Sequence, residues 1–216
     1  MVSIAPAILA DDPEVFNAQM QDAARYATRV HIDLADGIFT GNSLQAITDI
    51  WWPGGMRADL HIMYQRPFDH MEAIIALGPQ LVIVHAEAEG DFLAARKILH
   101  AHGIELGVAL LAGTPVDAIV PALGSIDHVL IFSGDLGHFG GHADLSLLEK
   151  AKKIKTLKPT VELGWDGGVN DEVAPALVAG GIDVLNAGGY LHGDDPMAAY
   201  HKLLAAIGQV SKSLRL

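Results

Sequence analysis

The 216-residue chain contains no cysteine, which excludes disulfides and any thiolate-ligated metal. A bound metal would have to sit on His, Asp, Glu or backbone oxygen. Long apolar runs are missing as well, since no stretch approaches the ~20 residues needed to cross a bilayer. The opening residues, "MVSIAPAILADDPEVF", carry neither a basic segment nor an apolar h-region. No secretory signal is expected, and a cytoplasmic setting is. Basic side chains are scarce: 14 Lys and Arg stand against 26 Asp and Glu, a formal net charge of −12. That deficit argues against nucleic acid or an anionic membrane as partner, because both need a basic surface. A small anionic ligand stays open to it, held locally by backbone N–H groups.

What the chain does have is apolar residues, half of the total, arranged in a regular alternation. Short runs rich in Val, Ile and Leu predict strands at 3–9, 29–34, 57–63, 80–85, 105–111, 128–133, 160–164 and 183–187. Between them lie longer stretches, among them "PEVFNAQMQDAARYA", "RPFDHMEAIIALG", "GDFLAARKILHAHG" and "DLSLLEKAKKIKTL". The last three carry apolar residues at the three- and four-residue spacing of a helix. Near-continuous apolar strands alternating with helices point to a parallel sheet covered on its outer face. Eight such units in one chain fit a single-domain (β/α)₈ TIM barrel spanning residues 1–216. A doubly wound open sheet fits less well, because the first strand leads into "ILADDPEVF" without a glycine-rich turn.

In such a barrel the C-terminal strand ends build the active site. The second strand brings His31 and Asp33 there, the third His61 and Met63, the fourth His85 and Glu87. The seventh ends at Asp166-Gly167-Gly168 and the eighth at Gly188-Gly189. His31 and Asp33, two apart on a strand, face the same way. Two imidazoles and two carboxylates (His31, Asp33, His61, Asp166) form a plausible ligand set for Zn²⁺, Fe²⁺, Mn²⁺ or Co²⁺. The glycine pairs Gly140-Gly141, Gly167-Gly168 and Gly188-Gly189 follow three successive strands, with the last two expected to open helices. Together they predict a phosphate cradle that needs no Lys or Arg. His85 is expected to support the site through a hydrogen bond rather than to bind metal. His142, in "HFGGH", is a candidate lid residue, balanced against an exposed loop histidine.

In this order, "IAPAIL", "HIDLADGIF", "DLHIM" with "RP", "VHAEA", "GVAL" with "TP", "FGG", "DGGVN" and "AGGYLHGDDP" resemble the ribulose-phosphate 3-epimerase family along nearly the whole chain. The resemblance implies one divalent metal on His31, Asp33, His61 and Asp166, with Asp33 and Asp166 as the acid/base pair. It implies epimerisation of a ketose phosphate, most simply D-ribulose 5-phosphate to D-xylulose 5-phosphate. Another ketose phosphate such as allulose 6-phosphate, or a non-catalytic sugar-phosphate binder on the same barrel, are the alternatives. A homo-oligomer is also implied, to which Trp51 and Trp52 could contribute. The chain departs from the family pattern at several positions. Ala7 and Ala10 stand where serines are usual, Ala35 and Phe132 where methionines are, and Gly189 where a serine is. The stretch after the sixth strand is one residue longer and adds His138 and His142.

Overall fold

The computed structural model describes residues 2–138 and 141–213, the side chains of 209–213 excepted. Eight strands form: β1 (Ser3–Ile8), β2 (Arg29–Ala35), β3 (Arg57–Met63), β4 (Leu81–His85), β5 (Glu105–Leu110), β6 (His128–Phe132), β7 (Glu162–Asp166) and β8 (Val184–Ala187). Each pairs in parallel with the next, and β8 pairs back to β1, closing the barrel. Helices α1 (Pro13–Ala23), α2 (Met71–Leu77), α3 (Phe92–Ala101), α4 (Leu148–Leu157), α5 (Ala174–Ala179) and α6 (Pro196–Ser213) lie outside it. Their starts are written locally. Asp12 caps α1 by accepting from the Glu14 and Val15 amides at 2.8 and 3.2 Å, and Pro13 fills a position whose N–H would be unused. Asp91 caps α3 through the Ala94 amide at 3.0 Å.

Side chains alternate along every strand. Val30, Ile32 and Leu34 of β2 pack outward against the helices, as do Leu60 and Ile62 of β3 and Leu163 and Trp165 of β7. The opposite positions fill the lumen, where Leu81, Ile83, Ala109 and Leu130 make a small apolar cluster of their own. Burying the outward set is the main driving force, at roughly 25 cal/mol for each Å² of apolar surface removed from water.

The structure corrects some sequence expectations. β7 spans Glu162–Asp166 rather than 160–164, because Trp165 belongs to the buried outer layer and Asp166 continues the ladder opposite Phe132. No helix follows β2 among the described residues, and β5 is followed only by 3₁₀ turns at Val116–Ala118 and Val120–Ser125. Gly37, Gly41, Pro53, Gly54 and Gly55 break the first segment, and Pro115, Pro121 and Gly124 the second.

Candidate active site at the C-terminal rim

The inward positions near the C-terminal ends of β2, β3 and β7 bring His31, Asp33, His61 and Asp166 together. One ligand atom from each lies within 4.8 Å of the others, and all four residues are buried. His61 Nδ1 is 2.7 Å from Asp33 Oδ1 and 3.8 Å from Asp166 Oδ2. His31 Nε2 sits 3.3 Å from Asp33 Oδ1 and 3.5 Å from Asp166 Oδ2 without the alignment of a hydrogen bond, and neither ring nitrogen has a hydrogen-bond partner among the described residues. Fully buried polar atoms normally find partners. Two imidazoles and two carboxylates converging on one point, with an orphaned ring among them, fit a divalent transition metal in both donor chemistry and placement. Burial opposes a charge on His31, but Asp33 and Asp166 outweigh it and push its pKa up to about 10. Burial likewise opposes the Asp33 carboxylate, yet His31 and then His61 hold it well below the usual carboxylate range.

Behind the cluster runs a supporting chain. His61 Nε2 and His85 Nε2 are 2.9 Å apart, so one ring accepts there and the other donates. His85 Nδ1 is 3.6 Å from Glu87 Oε2, and the Thr114 hydroxyl donates to Glu87 Oε1. Burial, joined by the neighbouring His61, lowers the His85 pKa to about 4 against the pull of Glu87. Phe132 lies against both rings, with centroids 5.8 and 5.9 Å away.

Above Asp33 and Asp166 opens a cavity of ≈ 260 Å³. Its wall includes Met63, Phe132, Gly141, Gly167, Gly168, Gly188 and Gly189. Gly140 lies outside the described residues. His31, His61 and His85 sit beneath or behind that wall; His142 is exposed and does not line it, whereas His138 does at the rim. Gly167 and Gly168 have φ of +108° and +68°, and a Cβ on either would lie 2.3 Å from Gly134 N or 2.2 Å from Ala143 N. Only glycine lets the loop after β7 approach the segment after β6 so closely. The same dihedrals stop a helix from starting there: α5 begins at Ala174, and Gly188-Gly189 opens only a 3₁₀ turn, Gly189–Leu191. The expected helix N-termini are thus replaced by turn amides. Trp165 Nε1 donates to the Gly167 carbonyl at 2.9 Å and fixes this loop beside Asp166.

Sequence reasoning passed over Asn170, Tyr190 and Asn186, which also line the cavity. Asn170 Oδ1 accepts from the amides of Glu172 and Val173. The signal for Asn186 was available, as a lone amide at an inward position in "VLNAGG".

A sequence profile described as the ribulose-phosphate 3-epimerase family matches residues 3–192. The chain is 30% identical over 209 residues to a ribulose-phosphate 3-epimerase of Bacillus subtilis, covering 89% of this chain and 93% of that protein. It is 31% identical over 232 residues to one of Mycobacterium tuberculosis, covering 99% and 96%. Among solved structures, 3-keto-L-gulonate-6-phosphate decarboxylase from Vibrio cholerae superposes with a TM-score of 0.71 at 15% identity, covering 97% of this chain and 98% of the other. That last likeness speaks for the barrel alone.

Proposed function

The chain belongs to the ribulose-phosphate 3-epimerase family and is an isomerase-class enzyme, and from that premise we propose that it inverts C3 of a ketose phosphate with Asp33 and Asp166 as acid and base. D-ribulose 5-phosphate to D-xylulose 5-phosphate is the simplest case. The observation that carries this reading is the convergence of two buried carboxylates, one from β2 and one from β7, on the floor of one cavity. Inversion next to a carbonyl requires a proton to leave one face of C3 and another to arrive on the opposite face. Strands β2 and β7 stand three steps apart around the ring through β8 and β1. Their carboxylates can therefore flank a planar enediolate.

In one direction the ionised Asp33 accepts the C3 proton, and the electron pair moves onto the C2 oxygen. A protonated Asp166 then returns a proton to the other face; the reverse reaction exchanges the roles. His31, Asp33, His61 and Asp166 would hold one divalent transition metal (Zn, Fe, Mn or Co), which when bound supplies Lewis-acid stabilisation of the developing oxyanion. Backbone amides of Gly141, Gly167, Gly168, Gly188 and Gly189 receive the phosphate and set the register of the carbon chain. Met63 and Phe132 give the intermediate an apolar wall.

The test is proton exchange in D₂O, followed by NMR, with Mn²⁺ or Zn²⁺ supplied. Deuterium entering C3 of D-ribulose 5-phosphate as D-xylulose 5-phosphate forms is the expected result. A folded, metal-loaded protein that exchanges no ketose phosphate would refute the reading. Independently, the purified protein should carry close to one transition metal per chain, lost when His31 and His61 are both replaced by Ala. Full turnover by a verified metal-free sample would sink the metal assignment.

A further inference from the structure

Asn186 is a buried polar residue of the cavity wall that neither the ligand cluster nor the glycine loops account for. It occupies an inward position near the end of β8, is 2% exposed, and lines the same cavity as Asp33 and Asp166. Its Oδ1 has no hydrogen-bond partner among the described residues. Leaving a buried amide oxygen unsatisfied costs more than a typical hydrogen bond returns, and at a cavity wall the space for a partner lies on the cavity side.

Its neighbours narrow what that ligand offers. Asn186 is in register with Asp166 on β7 and Ala5 on β1, one strand spacing (~4.8 Å) from each. On the β1 side the wall is made by Ala7 and Leu9, on the β6 side by Phe132. Along the arc from Asp166 through β8 and β1 to Asp33, the strand positions facing the cavity are therefore apolar except for this amide. An amide offers one acceptor and two donors, which suits a hydroxyl that both donates and accepts. It suits a phosphate less well, because an oxyanion has no proton for Oδ1.

We infer that Asn186 is a specificity-determining residue that binds a hydroxyl of the ketose next to the reacting carbons, and so selects a polyhydroxylated chain over a deoxygenated one. This deepens the proposed epimerase reading and rests on it for the identity of the sugar, while the hydrogen-bond argument stands on the cavity alone. The role differs from that of the acid/base pair: Asn186 exchanges no proton with substrate, and its loss removes selectivity.

The experiment compares the wild-type protein with Asn186→Leu, close in shape but without hydrogen bonding, and with Asn186→Ala. Each is metal-loaded and checked for unchanged metal content and thermal midpoint. Binding of D-ribulose 5-phosphate and of its 1-deoxy and 4-deoxy analogues is measured by calorimetry, and turnover by NMR. Wild type should lose about 10- to 100-fold in affinity or kcat/KM for one of the two analogues. Both variants should lose the same factor for the parent sugar and show no further loss for that analogue. Variants that treat parent and analogues as wild type does overturn the inference, as does an equal proportional loss for all three ligands. Asn186-dependent binding without turnover by wild type overturns the epimerase reading and keeps the inference. Turnover with no Asn186 dependence does the reverse.

Discussion

The two ends of the barrel lumen hold buried charge in opposite ways. At the N-terminal end the Arg29 guanidinium donates to Asp59 Oδ2 at 2.6 Å and reaches both oxygens of Glu162 at 2.9 and 2.8 Å. His128 Nδ1 adds a contact to Glu162 at 2.9 Å, and Arg57 reaches Asp59 and Glu105 at 3.2 and 3.0 Å. A bidentate fork and shared carboxylates leave these charges answered by the protein itself. At the C-terminal end, two carboxylates crowd an imidazole whose nitrogens have no hydrogen-bond partner among the described residues, beside an amide oxygen that has none there either. Burial alone, then, does not mark a site. At one end the charges are paired within the protein, although His128 Nε2 there also lacks a partner among the described residues; at the other the unpartnered groups lie at or beneath a cavity that a ligand can enter.

The comparison can be broken most forcefully at the top. Asp33→Asn or Asp166→Asn keeps shape and removes the base, and should lower kcat by about 10³- to 10⁴-fold while the barrel still folds. Near-normal rates in either variant would remove the acid/base assignment. A second variant lies between the two ends. Leu130→Ala hollows the apolar cluster under the site and should cost about 2–4 kcal/mol in urea unfolding, with kcat per folded molecule nearly unchanged. A large kinetic defect there would mean that the ends are coupled.

Gly189→Asp tests the rim. A Cβ at Gly189 meets nothing within 4 Å, so the fold should tolerate it, and a carboxylate beside the phosphate should raise KM roughly 10- to 100-fold. Gly168→Asp is the poorer choice, because its Cβ would run into Ala143 N. A KM for the phosphorylated ketose that does not move would count against the cradle. The smallest effect is expected at the bottom. Burial opposes the Glu162 charge, but Arg29 and then His128 hold its pKa well below the usual 4.5. Its stabilisation is therefore complete above about pH 4.5 and is lost as pH falls through the depressed native value. Because the side chain is 34% exposed, solvent screens part of it. Glu162→Gln should cost about 1–2 kcal/mol at pH 7 and progressively less in acid, at unchanged kcat. A cost independent of pH would show that packing, not charge, is at stake.

Much of this is legible in the chain of residues alone. The alternation of apolar runs and amphipathic stretches gives the barrel, and the two-residue spacing of His31 and Asp33 gives their common face. Once the strands are placed, His61 and Asp166 join them, because strand ends of a closed parallel barrel meet at one rim. What could not be read depends on distance along the chain or on what a residue fails to touch. Arg29 and Glu162 are separated by 133 positions, and nothing local to either announces the other. Asn186 looks like any strand-end amide until its surroundings show that no group among the described residues answers its Oδ1. The missing helices after β2 and β5 were hidden for another reason: barrel regularity suggested them, and local Gly and Pro overrode it.

The closed lumen has a last consequence, which concerns traffic. With Leu81, Ile83, Ala109 and Leu130 packed in the middle and the Arg29–Glu162 fork across the far end, the barrel is a cul-de-sac. Any ligand of this cavity, and water with it, uses the rim. Whatever occupies the mouth during a turnover therefore separates Asp33 and Asp166 from solvent. In the proposed mechanism, the protons those carboxylates carry would be exchanged with the medium while the mouth is clear, between one turnover and the next.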